Sequence, residues 1–357
     1  MDDFSGKKQT PRQLGYHMPA EWHAHRATWL AWPHNAETWP DPSQLALVKD
    51  IWVRMIQGLA PTEEVCLLVC DAGQKAEATK LLKMAGAAME RVSIYDIPTV
   101  DVWARDWGPT FVIGDGGKKL AFNDWIFNAW GGKYESYMED DSVCRELARL
   151  LRVPVFEHQI VLEGGSIEVN GCGTCLTTEQ CLLNPNRNPQ LGKSEIEQFL
   201  KESLGVSHCI WLGEGIVGDD TDGHIDDIAR FVNPTTIVCV LEEDSRDDNY
   251  RLLKENYERL VGARDQDGKK LQIVPLPMPG LVAYEGTRLP ASYANFYIAN
   301  GVVLVPTYDH PNDRKALGIL KELFPDRKVI GIPCTALVQG LGAIHCVTQQ
   351  EPAVVIP

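Results

Sequence analysis

The side chains in this chain that could do chemistry are a thiol, a histidine and several carboxylates, each set where a strand-like run meets a glycine-rich turn. Near the C-terminus, Gln339-Gly340-Leu341-Gly342-Ala343-Ile344-His345-Cys346 places a cysteine just after two glycines. Glycine admits positive φ or the close approach of a ligand. A structural cysteine needs neither, so Cys346 reads as a nucleophile. Its unperturbed pKa of about 8.5 leaves little thiolate at neutral pH, and it needs a base or a nearby cation. Adjacent strand residues point to opposite faces, which argues against His345 and favours His224 as the base.

Three acidic clusters carry the remaining candidates: Asp106 within Trp103-Ala104-Arg105-Asp106-Trp107-Gly108-Pro109-Thr110, Glu163 within Val161-Leu162-Glu163-Gly164-Gly165, and the run Asp219-Asp220-Thr221-Asp222-Gly223-His224-Ile225-Asp226-Asp227. Asp and Gly also gather in turns for purely local reasons. Two features argue for more. In an extended segment His224 and Asp226 would share one face. Asp106, Glu163 and His224 also follow one another at intervals of about sixty residues, a period typical of repeated modules. Cys346 lies two such intervals beyond His224, with a strand-like run at 292–298 near the middle of that gap. Five βαβ-type modules around an axis, each delivering a polar residue from an equivalent strand end, would focus these groups on one site. Carboxylates facing a thiol without a metal suit a planar guanidinium, which pairs with carboxylates bidentately. The chemistry expected is attack of the thiol on a guanidinium carbon.

The elements that must position these residues follow a β-α-β rhythm. A strand is predicted near 27–32, amid Trp22, Trp29, Trp32 and Trp39, where Trp32 and Pro33 either wall a pocket or cap the core. A helix is predicted over 43–59, a buried strand at 64–70, a helix at 74–84 and a strand at 92–96. Later helices are expected at 139–151, 193–204, 246–263 and 312–323. The helix at 193–204 shows a capping-box pattern in Ser194 and Glu197 and stops at Gly205. A hairpin is predicted from 166–169 through Asn170-Gly171 to 172–177.

The chain has 357 residues, 44% of them apolar and 23% charged, enough for a globular core in one or two domains. Its net charge of −15 argues against nucleic acid or an anionic membrane as partner and is compatible with a cationic substrate. Met1–Lys8 has no apolar signal-like run and no stretch reaches membrane-spanning length. Ten cysteines then read as reduced thiols of a cytoplasmic protein, with Cys66, Cys70, Cys144, Cys209, Cys239 and Cys334 as small buried hydrophobes. Three motifs invite other readings. His23, His25 and His34 lack an acidic or thiol partner at ligand spacing and read as hydrogen-bonded or solvent-facing. Cys172-Gly173-Thr174-Cys175 lies in the hairpin and lacks a second ligand pair, against zinc. Gly213-Glu214-Gly215-Ile216-Val217-Gly218 is followed by carboxylates rather than a helix start, against a dinucleotide.

Seven motifs in order make the chain resemble the agmatine deiminases, of the guanidine-modifying, peptidylarginine-deiminase-like pentein superfamily. They are Met18-Pro19-Ala20-Glu21-Trp22, Ala31-Trp32-Pro33, Ala104–Pro109, Asn128-Ala129-Trp130-Gly131-Gly132, Leu162–Gly165, Thr221–Asp226 and Ile344–Gln350. The resemblance implies an α/β fold, a five-bladed pseudo-symmetric propeller of ββαβ repeats, and residues 1–357 are expected to form a single catalytic domain whose residues 1–15 are a flexible N-terminal arm. It implies agmatine, a small cation, as substrate and N-carbamoylputrescine and ammonia as products, with neither cofactor nor metal. In the implied roles Cys346 forms an amidino-thioether, and His224 protonates departing ammonia and then deprotonates water. Asp106 and Asp226 grip the guanidinium, and Glu163 orients His224 or shares that grip. Trp103, Trp107, Gly340 and Gly342 would shape the substrate pocket. Trp107 stands where the family often has Thr, and Leu341 and Ala343 where it often has Gly and Asn. The alternatives are a deiminase of free or peptidyl arginine and, from other classes, a metal-dependent hydrolase or a non-catalytic guanidine- or polyamine-binding protein. A homo-oligomer is left open.

Overall fold

The apolar stripe predicted over 43–59 forms the helix Pro42–Leu59, with Val48, Trp52, Met55, Ile56 and Leu59 buried. Asp41 caps it by accepting from the Ser43 amide, and Pro42 occupies the first turn, where its missing N–H has no helical partner to lose. The structure, a computed structural model, describes residues 9–355. The other predicted helices are Ala72–Met84, Val143–Leu151, Lys193–Leu204, Asn249–Gly262 and Asn312–Leu323. Residues 135–142, partly assigned to the second of these, wind instead as a 3-10 stretch. The cap at 193–204 is shifted: Gly192 is the N-cap and its amide donates to Glu195, while Gly205 ends the helix at φ 69° as predicted.

Five of the six sheets repeat one pattern in this mixed α/β fold. Two strands pair antiparallel, and the second runs through a helix into a third that pairs parallel to it. Four follow chain order: Thr110–Gly114, Lys119–Ile126 and Val155–Val161; Glu168–Val169, Thr174–Thr178 and His208–Leu212; Ala229–Asn233, Thr236–Leu241 and Gln272–Pro277; Tyr297–Ile298, Val302–Thr307 and Lys328–Pro333. The fifth joins the two ends of the chain. Gln349–Pro352 pairs antiparallel with His25–Ala31, which pairs parallel with Glu64–Val69 and so on to Val92–Asp96. Central strands such as Thr236–Leu241 and Val302–Thr307 are apolar nearly throughout because both of their faces are covered.

In each sheet the antiparallel pair is entered from a short turn. These five turns carry Asp106, Glu163, His224 with Asp226, Asn295 and Cys346.

Several local expectations change. In the hairpin the paired residues are Glu168 with Leu176 and Val169 with Cys175, so residues 170–173 form the connection. Cys172 is therefore an exposed turn residue while Cys175 is buried in the strand. His224 and Asp226 do not lie on a strand; Ile225–Asp227 is a 3-10 turn with His224 before it. Trp32 is core, its indole N–H donating to Glu77 at 3.0 Å. Of the arm expected at 1–15, residues 1–8 lie outside the described residues. The remainder is tied down through a 3-10 turn at Arg12–Leu14 and a 2.7 Å hydrogen bond from Thr10 to Glu202. No helix among the described residues is long and apolar enough to cross a membrane.

Candidate active site

Cys346 is buried, and its Sγ accepts from Asn295 Nδ2 at 3.1 Å and lies 3.9 Å from Asp226 Oδ2. Burial, then the charges of Asp226, Asp227 and Asp106, push the thiol well above its ordinary pKa. The free site therefore holds a neutral thiol, and a cation beside it would favour the thiolate. Asn295 organises the turn: its Oδ1 accepts the His345 amide at 2.9 Å and the Cys346 amide at 3.3 Å, and its Nδ2 also reaches Asp227 at 3.0 Å. The run at 292–298 stood out in the sequence, but an amide side chain carries no charge signature to mark Asn295 within it.

Asp106 sits in the helical turn Ala104–Trp107. Its Oδ1 accepts the Gly165 amide at 3.0 Å and its Oδ2 the Trp130 indole at 2.9 Å. Ala129 and Trp130 take left-handed φ values of 52° and 54°, a conformation costing non-glycine residues about 1–3 kcal/mol each and typical of functional sites. That strained turn presents the indole to Asp106. Burial raises the Asp106 carboxyl to about 6, His224 opposing and Asp226 and Glu163 adding to the rise.

His224 is wholly buried, and neither ring nitrogen has a hydrogen-bond partner; Nδ1 is 3.7 Å from Asp106 Oδ1. Burial disfavours the charged ring, but Asp106, then Cys181 and Glu163, outweigh it and hold its pKa well above the ordinary value. A Cβ on Gly165 would meet His224 Nδ1 at 2.5 Å and Asp106 Oδ1 at 2.8 Å, so only glycine fits between the two. His224 makes no hydrogen bond to Cys346; the Sγ contacts are Asn295 and Asp226. The sequence places His224 as the base of the thiol; in the free site the ring and the sulfur are not hydrogen-bonded to each other. An imidazole with two free nitrogens is suited to protons that appear later in a reaction.

Glu163 reaches the site through an ion pair that sequence reasoning missed. Arg187, in Asn184-Pro185-Asn186-Arg187-Asn188-Pro189, donates to Glu163 Oε1 and Asp222 Oδ2, each at 2.7 Å, and both guanidinium and Glu163 are fully buried. Glu163 Oε2 has no partner and faces the His224 cluster. The acidic run 219–227 divides by task. Asp219 accepts the amides of Thr221, Gly223 and His224 and folds the loop. Asp222 is bound to Arg187 and Lys133, Asp220 lines the cavity, and Asp226 and Asp227 meet Cys346. Asp226 Oδ1 has no partner.

A cavity of about 180 Å³ leads from Cys346 and Asp106 past Trp103, Trp130, Tyr134 and Tyr137 to the partly exposed Asp220 and the exposed Glu37. Among the described residues its lining holds no Lys, Arg or His. Trp103, Gly340 and Gly342 lie on this wall as expected, but neither glycine has a positive φ. A Cβ on Gly342 would meet the Trp103 ring at 2.4 Å and one on Gly340 would meet Thr38 and Trp39 at 2.7 Å, so these glycines make room for the side chains of the wall. Trp107 is not part of the lining; it is packed in the core, its indole nitrogen without a partner. His224, Asp226 and Glu163 lie behind the lining, fully buried.

Two groups among the described residues could hold a cation: Glu163, Cys181 and His224, and Asp226, Asp227 and Cys346. The first includes a neutral-form thiol under the histidine, and the second the nucleophile itself. Cys172 and Cys175 belong to neither group. The N-terminal histidines are hydrogen-bonded as expected, His25 to the Glu21 carbonyl at 2.6 Å and His34 to the Trp32 carbonyl at 2.9 Å. Cys70 departs from the buried-hydrophobe expectation, being partly exposed and 3.4 Å from His34 Nε2; Cys209 is also only partly buried.

The sequence pattern of the Porphyromonas-type peptidyl-arginine deiminase family matches residues 17–352. The chain is 39% identical over 372 aligned positions to the agmatine deiminase of Stutzerimonas stutzeri, covering 96% of this chain and 97% of that one. The structure of an agmatine deiminase from Enterococcus faecalis superposes with a TM-score of 0.90 at 35% identity, covering 97% and 98% of the two chains. A more distant likeness of fold is an amidinotransferase of saxitoxin biosynthesis from Microseira wollei, at 14% identity, TM-score 0.52 and 94% and 97% coverage.

Proposed function

The chain belongs to the Porphyromonas-type peptidyl-arginine deiminase family, and we propose that it hydrolyses agmatine to N-carbamoylputrescine and ammonia through an amidino-thioether on Cys346. The observation that carries this reading is the pairing of a buried neutral thiol with an aromatic cavity that offers carboxylates and no basic side chain. A guanidinium placed between Asp106 and the free Oδ1 of Asp226 offsets the negative charge that keeps Cys346 protonated. The thiol gives its proton to solvent, an equivalent proton being recovered when the sulfur is released at the end, and the thiolate adds to the guanidinium carbon. His224, held protonated by Asp106, Cys181 and Glu163, donates its proton to the departing nitrogen and ammonia leaves. The neutral imidazole takes a proton from water as the water adds to the same carbon, and the carbon–sulfur bond breaks.

The cavity also argues for agmatine over arginine. An α-carboxylate would need a cation, whereas the lining supplies Glu37 and Asp220, suited to a terminal ammonium. The five repeated sheets support reading the chain as one catalytic domain, a five-bladed α/β propeller whose first blade is closed by Gln349–Pro352. Ten unpaired cysteines favour the cytoplasm, and the acidic charge disfavours nucleic acid. The test is to incubate the protein with agmatine, arginine and an arginyl peptide while following ammonia and ureido product, with and without a chelator. Turnover of agmatine alone, insensitive to chelator, is expected. Product from arginine or the peptide but not agmatine would overturn the substrate, and chelator-sensitive turnover that survives Cys346→Ala would overturn the mechanism.

A further inference from the structure

His345 is fully enclosed, and both of its ring nitrogens meet carboxylate oxygens: Nδ1 lies 2.6 Å from Asp226 Oδ2 and Nε2 lies 2.7 Å from Glu21 Oε2. Its backbone is pinned as well, its amide donating to both the side-chain and main-chain oxygens of Asn295 at 2.9 Å and 3.1 Å. Neither carboxylate is free to be the donor in these contacts. Glu21 Oε1 accepts the Ile298 amide and pairs with Arg230, each at 2.8 Å, while its Oε2 also faces Arg105 at 3.4 Å. Burial alone would lift the Glu21 carboxyl, yet Arg230, His345 and Arg105 hold it far below the usual carboxylate range. Asp226 Oδ2 also faces the Cys346 thiol as an acceptor at 3.9 Å, and Oδ1 has no partner to which it could donate, so the Asp226 carboxylate is placed to accept from His345. With both carboxylates ionised, hydrogen bonds at both nitrogens require a proton on each.

We infer that His345 is a buried imidazolium and a positioning residue, clamped by Glu21, that fixes the Asp226 carboxylate for substrate and tempers its charge beside Cys346. The inference rests on the deiminase reading for what Asp226 grips. The oxygen that His345 holds is the one 3.9 Å from Cys346 Sγ, and Asp226 Oδ1 is left without a partner. One donated bond thus turns the unoccupied oxygen to the substrate and draws negative charge away from the sulfur that must ionise. The groups facing the ring are Asp226 from the 3-10 turn, Glu21 from the segment before His25–Ala31, and Cys346 in its own turn; Arg230 and Arg105 face it through Glu21. This assigns a task to Met18-Pro19-Ala20-Glu21-Trp22, which is remote in sequence from every reacting group.

Two substitutions separate positioning from general packing. Asparagine can place an amide nitrogen near the Nδ1 position, and glutamine near Nε2. His345→Asn should keep kcat for agmatine within about tenfold of wild type. His345→Gln, which keeps the Glu21 contact and loses the one to Asp226, should lose roughly 10- to 100-fold, the worth of a hydrogen bond to a charged group. Melting temperatures should fall alike in the two. Equal kcat in two folded variants, or a better glutamine variant, would overturn the assignment. A measurement on the wild-type protein covers variants that fail to fold and does not depend on turnover: 15N NMR of labelled histidine. Assigned through its own backbone, the His345 ring should carry protons on both nitrogens, as the rings of His224 and His34 should, and of these it is the His345 signals that should shift in Glu21→Gln. A singly protonated ring in that position would refute the imidazolium. Absence of ammonia from any guanidine substrate in the wild type, with the doubly protonated ring present, would instead count against the deiminase reading.

Discussion

His224 and His345 are equally buried within one site and differ in what their nitrogens meet. Both nitrogens of His345 are occupied by carboxylates, while neither nitrogen of His224 has a hydrogen-bond partner. A satisfied ring is held in one place and has no proton to exchange with substrate. An unsatisfied ring, kept charged by Asp106, Cys181 and Glu163 without being tied to them, has a proton to give and a lone pair to use once it has given it. The same contrast divides the carboxylates. Asp219 and Asp222 spend their oxygens on the loop and on Arg187, whereas Asp226 and Glu163 each retain one free oxygen facing the site. Unfilled hydrogen-bonding capacity thus separates His224, Asp226 and Glu163 from the His345, Asp219 and Asp222 that lie beside them.

The contrast can be broken from both sides. His224→Asn should lower kcat by roughly 10²- to 10⁴-fold in steady-state assays of ammonia release, the usual worth of a positioned acid–base group. That loss should exceed the loss in His345→Asn; the reverse order would undo the distinction. Arg187→Met leaves Glu163 buried and ionised without its partner. Breaking a buried pair from one side costs about 3–5 kcal/mol, to be read from urea unfolding, and activity should fall with it as Glu163 loses the contact that fixes it beside His224. The pH dependence follows from Asp106, raised to about 6. Its ionised form is the one that holds a cation, so kcat/KM for agmatine should fall as pH drops through about 6. A profile flat to well below that value would show that Asp106 does not grip the substrate. The smallest effect belongs to Trp107→Phe. Trp107 does not line the cavity and its indole nitrogen has no partner, so kcat/KM should stay close to wild type, with any cost appearing in the melting temperature.

Much of this site was legible from residue type and spacing. Cys346, His224, Asp106, Glu163 and Asp226 are reactive types at turns, and the interval of about sixty residues reflects the repeated sheet that places each turn before an antiparallel pair. The helices were legible chiefly through their apolar stripes, with capping at Asp41, Asp71 and Gly192 supporting three of them. What stayed hidden depends on partners distant in the chain. Arg187 lies in a segment rich in Asn and Pro that reads as an ordinary turn, and only folding brings it to Glu163. His345 was set aside because neighbours on a strand face opposite ways; the segment is in fact a turn, and what removes His345 from acid–base work is its two carboxylates. Gly340 and Gly342 were read as latitude for the backbone or a ligand, yet their missing side chains admit Thr38 and Trp39 at the first and the ring of Trp103 at the second.

The central claim is a covalent bond between Cys346 and the guanidinium carbon. Acid-quenching the protein during turnover of agmatine, followed by intact and peptide mass spectrometry, tests it directly. The expected result is a mass gain of agmatine less one ammonia on the peptide bearing Cys346, enriched in His224→Ala and absent in Cys346→Ser. Sustained ammonia release from Cys346→Ser, or turnover by the wild type with no adduct on that peptide in either background, would contradict it.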